Sequence, residues 1–128
     1  MLPVPTLPPR LIVDFALKCN LRCSMCLVWS PDISDPAAQA VTGTMNVEAA
    51  RKLLDEVAAA KPVVQPSLWG ETLLVPDLRE RIRDMTSRGM TVAMNTNGLT
   101  LTDEAANMLV EEGVSAVFFS IDSVKRET

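Results

Sequence analysis

Four short apolar runs, Leu11 to Leu17, Val63 to Trp69, Thr91 to Thr96 and Ser115 to Ile121, alternate along the chain with three amphipathic stretches of helical length. That alternation predicts consecutive βα units, because two neighbouring parallel strands need a crossover, usually a helix, to bring the chain back to the same end of the sheet. The expected fold class is α/β with a parallel sheet and right-handed crossovers. In the first helical stretch Ala50, Leu53, Leu54, Val57 and Ala58 recur on one face, with Glu48, Arg51, Lys52, Asp55 and Glu56 on the other. Asn46 is its expected N-cap and Pro62 its stop. The second helix is expected to start at a capping Asp77, to carry Leu78, Ile82 and Met85 inward, and to end at Gly89. The third is expected to run from Thr102 to Gly113, with Asp103 and Glu104 placed favourably in its first turn. Met85, Met94 and Met108 read as packing residues.

With 128 residues, 48% of them apolar and 22% charged, the chain has material for one core. A net charge of -4 argues against an electrostatic grip on nucleic acid, which draws on clustered Lys and Arg. Arg79, Arg81, Arg83 and Arg88 do gather on the second helix, but Glu80 and Asp84 interleave with them, as on a solvated helix face. The opening MLPVPTLPPR, with four prolines, is neither a signal peptide nor a membrane span. Residues 1–10 are therefore expected to form an extended lead-in to a domain over 11–128 with no membrane segment.

All three cysteines, Cys19, Cys23 and Cys26, fall within CNLRCSMC directly after the first apolar run, and the chain has no histidine. Structural zinc wants four ligands, mostly Cys and His, so this set would need an unusual carboxylate or a partner chain. A cubane iron-sulfur cluster normally takes four thiolates, and three would leave one iron open to a group that is not protein, an arrangement suited to catalysis. The competing reading is three ordinary thiols, or a disulfide pair with one left over. A reduced metal centre fits a cytoplasmic, reducing compartment.

In parallel α/β folds ligands bind beyond the C-terminal ends of the strands. The cysteines follow the first run, Trp69-Gly70-Glu71 the second, Asn95-Thr96-Asn97-Gly98 ends the third, and Ser120-Ile121-Asp122 the fourth, so four polar clusters are expected on one rim. Gly70 admits close backbone approach, and Glu71 can accept charge-assisted hydrogen bonds from an ammonium group. Asn97-Gly98 is first a turn signal, and Trp69 reads as packing. The connection from Leu27 to Thr44 is long enough to be either a lid over the cysteines or a surface insertion.

CxxxCxxC resembles the signature of the radical S-adenosylmethionine (radical SAM) enzymes, and the resemblance extends over nearly the whole chain. It implies that Cys19, Cys23 and Cys26 hold a 4Fe-4S cluster whose open iron is chelated by the methionine part of S-adenosylmethionine. It implies reductive cleavage of that cofactor to methionine and a 5'-deoxyadenosyl radical, which abstracts hydrogen from substrate, and so a low-potential donor of the flavodoxin or ferredoxin type. WGET here resembles the family's GGEP segment, with Gly70 and Glu71 matching, Trp69 for the first glycine and Thr72 for the proline; the implied role is to bind the methionine amino group. By the same resemblance Met25 approaches the adenine through its backbone. Asn95, Asn97, Ser120 and Asp122 contact the ribose and carboxylate, each pair sharing a strand face toward a barrel interior.

The implied architecture is a partial (β/α) barrel of which this chain supplies about four of six βα units. The sequence would then be the N-terminal portion of a longer protein, or a truncated reading frame, with an uncovered edge strand. The WGE and TNG spellings resemble the subgroup that modifies peptides and proteins, and cofactor-biosynthesis members share similar segments. A non-catalytic electron relay or oxygen sensor, and a degenerate fragment, remain the other readings.

Overall fold

The computed structural model describes residues 7–32, 37 and 42–122. The first half of the Pro-rich lead-in, parts of the Leu27 to Thr44 connection, and the segment from Ser123 onward lie outside the described residues. In chain order the elements are β1 (Arg10–Ile12), β2 (Ala16–Leu17), β3 (Gly43–Thr44), α1 (Val47–Val57), β4 (Val63–Gln65), α2 (Leu78–Thr86), β5 (Thr91–Thr96), α3 (Asp103–Glu111) and β6 (Ala116–Phe119), with short 3-10 turns at Ala58–Ala60 and Thr72–Leu74. A parallel sheet carries β1, β4, β5 and β6 side by side in that order. The registers Arg10↔Val63, Val63↔Thr91 and Ala93↔Ala116 stack the strand ends along one edge, as the βα alternation predicts.

Three of the runs are shorter as strands than their apolar composition predicts: the fourth keeps only Ala116–Phe119, and the first two are cut back further. Leu11 to Leu17 was expected to be one strand, but only its first part joins the parallel sheet. The amides of Val13 and Phe15 still reach Gln65 and Pro66, after which β2 turns aside to pair antiparallel with β3. The kink sits at Asp14, a carboxylate in an otherwise apolar run, whose Oδ1 accepts from the amides of Leu68, Trp69 and Gly70 at 2.8, 3.0 and 3.3 Å. The same bonds end the second run early: Pro66 has no amide to give to a ladder, and the chain beyond it wraps Asp14 instead of extending.

The three helices pack onto the sheet, α1 and α2 through the faces predicted. Leu54, Ile82 and Met85 are fully buried with Phe15, Val64, Val92 and Met94, and Leu109 joins them from α3. Burying each such side chain contributes roughly 1.5–3 kcal/mol. The Asn46 side chain caps α1 by accepting from the amides of Glu48 and Ala49, and Thr102 caps α3 through the amide of Ala105. Gly89 and Gly113 sit at positive φ just past α2 and α3. Asp77 precedes α2 but makes no side-chain cap, because its own backbone is left-handed at φ 55°. On β6, the last strand of the described sheet, Phe118 and Phe119 are exposed.

The arginine-rich face of α2 is not uniformly solvated. Arg79 and Arg83 do lie at the surface, where they pair with Glu111 and Glu112 at the end of α3, and Arg88 pairs with Asp55 of α1. Arg81 is buried at 3% exposure, stacked 5.0 Å above the Phe15 ring, and donates to the carbonyls of Met45 and Pro76. It pins the β3 end to α2, a tertiary demand that charge patterning along one helix does not reveal.

The Arg83 guanidinium beside Glu112 is the main cause that holds its carboxyl below the usual range, with Arg79 adding to it. A depressed folded-state value stabilises the fold above the unfolded carboxylate range, about pH 4.3, and that contribution is lost as pH falls through the folded value. Glu112→Gln should therefore lower the melting temperature at pH 7, and the gap from wild type should close as pH falls below the ordinary carboxylate range and through the folded value. A gap that persists at low pH in thermal melts would assign the effect to packing.

Candidate functional site

The cysteine loop leaves β2 and is braced by its own backbone and side chains. Cys23 and Cys26 close a turn through the Cys26 amide, and Ser30 closes the next onto the Cys26 carbonyl. Arg22 donates to the carbonyls of Cys19 and Leu21 while its guanidinium lies 5.2 Å over the Trp29 ring. All three thiols are free and partly exposed. Backbone amides already point at two of them, Leu21 at Cys19 Sγ (3.4 Å) and Trp29 at Cys26 Sγ (3.3 Å). Burial pushes the Cys23 thiol up, and the charges of Asp122, Cys19 and Cys26 push it further, so these four groups share one electrostatic neighbourhood. Among the described residues no three Cys, Asp or Glu side chains stand at ready-made metal spacing. The donor set still fits a three-thiolate cluster: three free thiols on one short loop, two with amide donors, and no histidine in the chain.

The rim opposite is built on Gly70. An added Cβ would stand 2.4 Å from the Ala16 carbonyl oxygen and 3.1 Å from that of Lys18, so only glycine lets the β4 loop lie against the strand that leads into Cys19. The Glu71 amide then donates to the Lys18 carbonyl at 2.7 Å. The Glu71 side chain is buried at 3% exposure. Its Oε1 accepts from the Leu73 amide and the Thr96 hydroxyl, and its Oε2 from the Asn97 amide at 2.7 Å.

The other expected residues arrive on the same edge in different ways. Asn95 is exposed on the sheet face opposite Val92, Met94 and Thr96, which enter the core. The β5 alternation stops at Thr96, so Asn97 does not share a strand face with Asn95 as expected. Instead the Asn97 side chain accepts from Leu99 in a local turn and donates to Asn20, inside the cysteine loop, at 2.8 Å. Ser120 and Asp122 lie past the end of β6 and are exposed, so strand alternation does not pair them either. Met25 is 66% exposed on the loop.

Three residues that join the site were not singled out from sequence, Asp14, Asn20 and Trp29, while Thr96 was placed on the rim with its cluster but given no role. Asp14 left a signal, a lone carboxylate within LIVDFAL. Asn20 left none, because its partner is 77 residues away.

The sequence pattern of the radical SAM superfamily matches residues 13–128. The chain belongs to the radical SAM superfamily. It is 38% identical over 122 residues to the AdoMet-dependent heme synthase of Methanosarcina barkeri, covering 94% of this chain and 33% of that protein. It is 32% identical over 117 residues to the tungsten-containing aldehyde ferredoxin oxidoreductase cofactor-modifying protein of Pyrococcus furiosus, covering 88% and 30%. The chain thus spans about a third of the length of these relatives. The structure of BtrN in complex with AdoMet and 2-DOIA superposes with a TM-score of 0.75 at 19% identity, over 97% of this chain and 50% of that one. That likeness establishes the α/β fold as part of the barrel-type radical SAM architecture. Radical SAM enzymes use a 4Fe-4S cluster with S-adenosylmethionine and need an electron donor. No helix among the described residues is long and apolar enough to cross a membrane.

Proposed function

We propose that this chain is the cluster- and cofactor-binding part of a radical SAM enzyme acting in the making or modification of a cofactor. The observation that carries the reading is the mutual bonding of the three rim segments: Glu71 to Lys18 and Asn97, and Asn97 to Asn20. Three thiols and a buried carboxylate held in one network suit a site that must orient a small cationic ligand against a metal centre. When bound, the cluster and S-adenosylmethionine supply one-electron cleavage to methionine and a 5'-deoxyadenosyl radical that takes hydrogen from substrate.

In this reading Cys19, Cys23 and Cys26 hold the cluster. Gly70 and Glu71 receive the methionine ammonium; Oε2 of Glu71 has one donor among the described residues and a carboxylate oxygen accepts two, so an acceptor position is left. Met25 offers backbone to the adenine. The exposed Asn95 and Ser120, with Asn97 and Asp122, serve the ribose and carboxylate. The cofactor-directed substrate class is supported by the names of the two curated relatives. A peptide or protein substrate, the second reading, is supported by the WGE and TNG spellings and by the fold likeness to Streptococcus suis SuiB bound to precursor peptide SuiA. The reductant would be of the flavodoxin or ferredoxin type, working in the cytoplasm.

Anaerobic reconstitution with iron and sulfide tests this. The wild-type chain should take up about four irons, and Cys23→Ala should fall to nearly none, since a cluster held by two thiolates lacks a protein ligand on two irons. Adding S-adenosylmethionine should change the cluster spectrum, and reduction should release 5'-deoxyadenosine. A cluster indifferent to S-adenosylmethionine would replace the enzyme reading with an electron relay.

A further inference from the structure

Trp29, a buried residue, joins the cysteine loop to the cofactor rim through both its backbone and its indole. It is 5% exposed, its backbone amide donates to Cys26 Sγ at 3.3 Å, and its indole Nε1 donates across 40 residues to the Trp69 carbonyl at 2.5 Å. On its other face lies Arg22, which also holds the carbonyls of Cys19 and Leu21. The Trp69 carbonyl belongs to the peptide that leads into Gly70, so a shift of Trp29 moves Cys26 and the Gly70–Glu71 rim relative to each other.

We propose that Trp29 is a positioning residue: its indole N–H fixes the distance between the cysteine loop and the Trp69–Gly70 rim, and so sets the affinity for S-adenosylmethionine without ligating iron. The inference rests on the cofactor reading above. A tryptophan that served only as core would need no N–H contact, and phenylalanine would replace it with loss of stability alone. One that positions the rim loses cofactor affinity when the donor goes, even where the fold and the metal remain, because the bond joins two separately held segments.

Trp29→Phe keeps an aromatic ring under Arg22 and removes the donor. Reconstituted anaerobically, it should hold iron near the wild-type level. The S-adenosylmethionine concentration that half-converts the electron paramagnetic resonance signal of the reduced cluster should rise about fivefold, the worth of one neutral hydrogen bond. In the metal-free chain, amide hydrogen exchange over 19–30 and 68–71 should speed up together in this variant, a readout that needs neither cluster nor cofactor. Equal half-conversion in wild type and variant, or exchange unchanged in both segments, overturns the proposal. Loss of iron together with loss of cooperative thermal unfolding assigns Trp29 to the core and overturns it as well. A wild-type cluster that ignores S-adenosylmethionine removes the cofactor reading itself, and the hydrogen-exchange comparison then still decides whether Trp29 couples the two segments.

Discussion

Gly70→Ala should unseat the cysteine loop. The new methyl would meet the Ala16 carbonyl oxygen at 2.4 Å and the Lys18 carbonyl at 3.1 Å, both backbone atoms of the strand that leads into Cys19. A flexible side chain could swing away, but these carbonyls cannot move without displacing β2, the Glu71–Lys18 bond, or both. Overpacking a tight site typically costs about 1–3 kcal/mol and sometimes more, and the backbone nature of the clash puts this variant at or above the upper end. At roughly 3 kcal/mol a marginally stable domain loses a large part of its total stability. The melting temperature should fall by about 10 °C, on a scale of about 4 °C per kcal/mol for a chain of this length. Iron uptake should fall with it, since the displaced strand carries Cys19. A Gly70→Ala chain that melts within a few degrees of wild type would mean that the close approach is not part of the solution structure.

Glu71→Ala should be nearly as damaging, for a different reason. Its carboxylate is the common acceptor for the Leu73 amide, the Thr96 hydroxyl and the Asn97 amide, and Thr96 in turn accepts from Gly98. Removing the acceptor strands three donors, with Thr96 buried at 2% exposure, and each unsatisfied buried group costs about 1–3 kcal/mol. Water can reach some of them once the side chain is gone, so a total of about 3 kcal/mol is expected, read as a shifted urea midpoint. Glu71→Gln should lose less, because one oxygen persists and only the amide group confronts a donor. Adding Thr96→Val to Glu71→Ala removes one stranded hydroxyl and should recover part of the loss, a coupling a double-mutant cycle would register. Full stability of Glu71→Ala would show that the carboxylate is solvated rather than the hub of the rim. Cofactor response should vanish in both Glu71 variants, and Glu71→Gln, the more stable, separates ligand binding from folding.

The helices and the parallel order of the strands were legible because their signals are local. Asn46, Thr102, Gly89 and Gly113 sit at the helix ends where capping chemistry wants them, and Leu54, Ile82 and Met85 repeat at the helical period. The strand lengths were not legible, because Asp14 and Pro66 act on each other's runs from about fifty residues apart. Arg81 failed for the same kind of reason: on its helix it reads as one more surface charge, and only Phe15 and Met45 make it interior.

Within the candidate site, sequence alone supplied the donor groups: three thiols in one loop, no histidine, and a Gly-Glu pair after the second strand. Ligand type depends on residue identity and on spacing within a few positions, both of which are written along the chain. Tertiary structure alone decided how those groups are held: Glu71 turned inward to Thr96 and Asn97, Asn97 tied to Asn20, Trp29 tied to Trp69. Each of those bonds joins residues at least 25 positions apart, and such a pairing exists only once the sheet has brought its strand ends to a common edge.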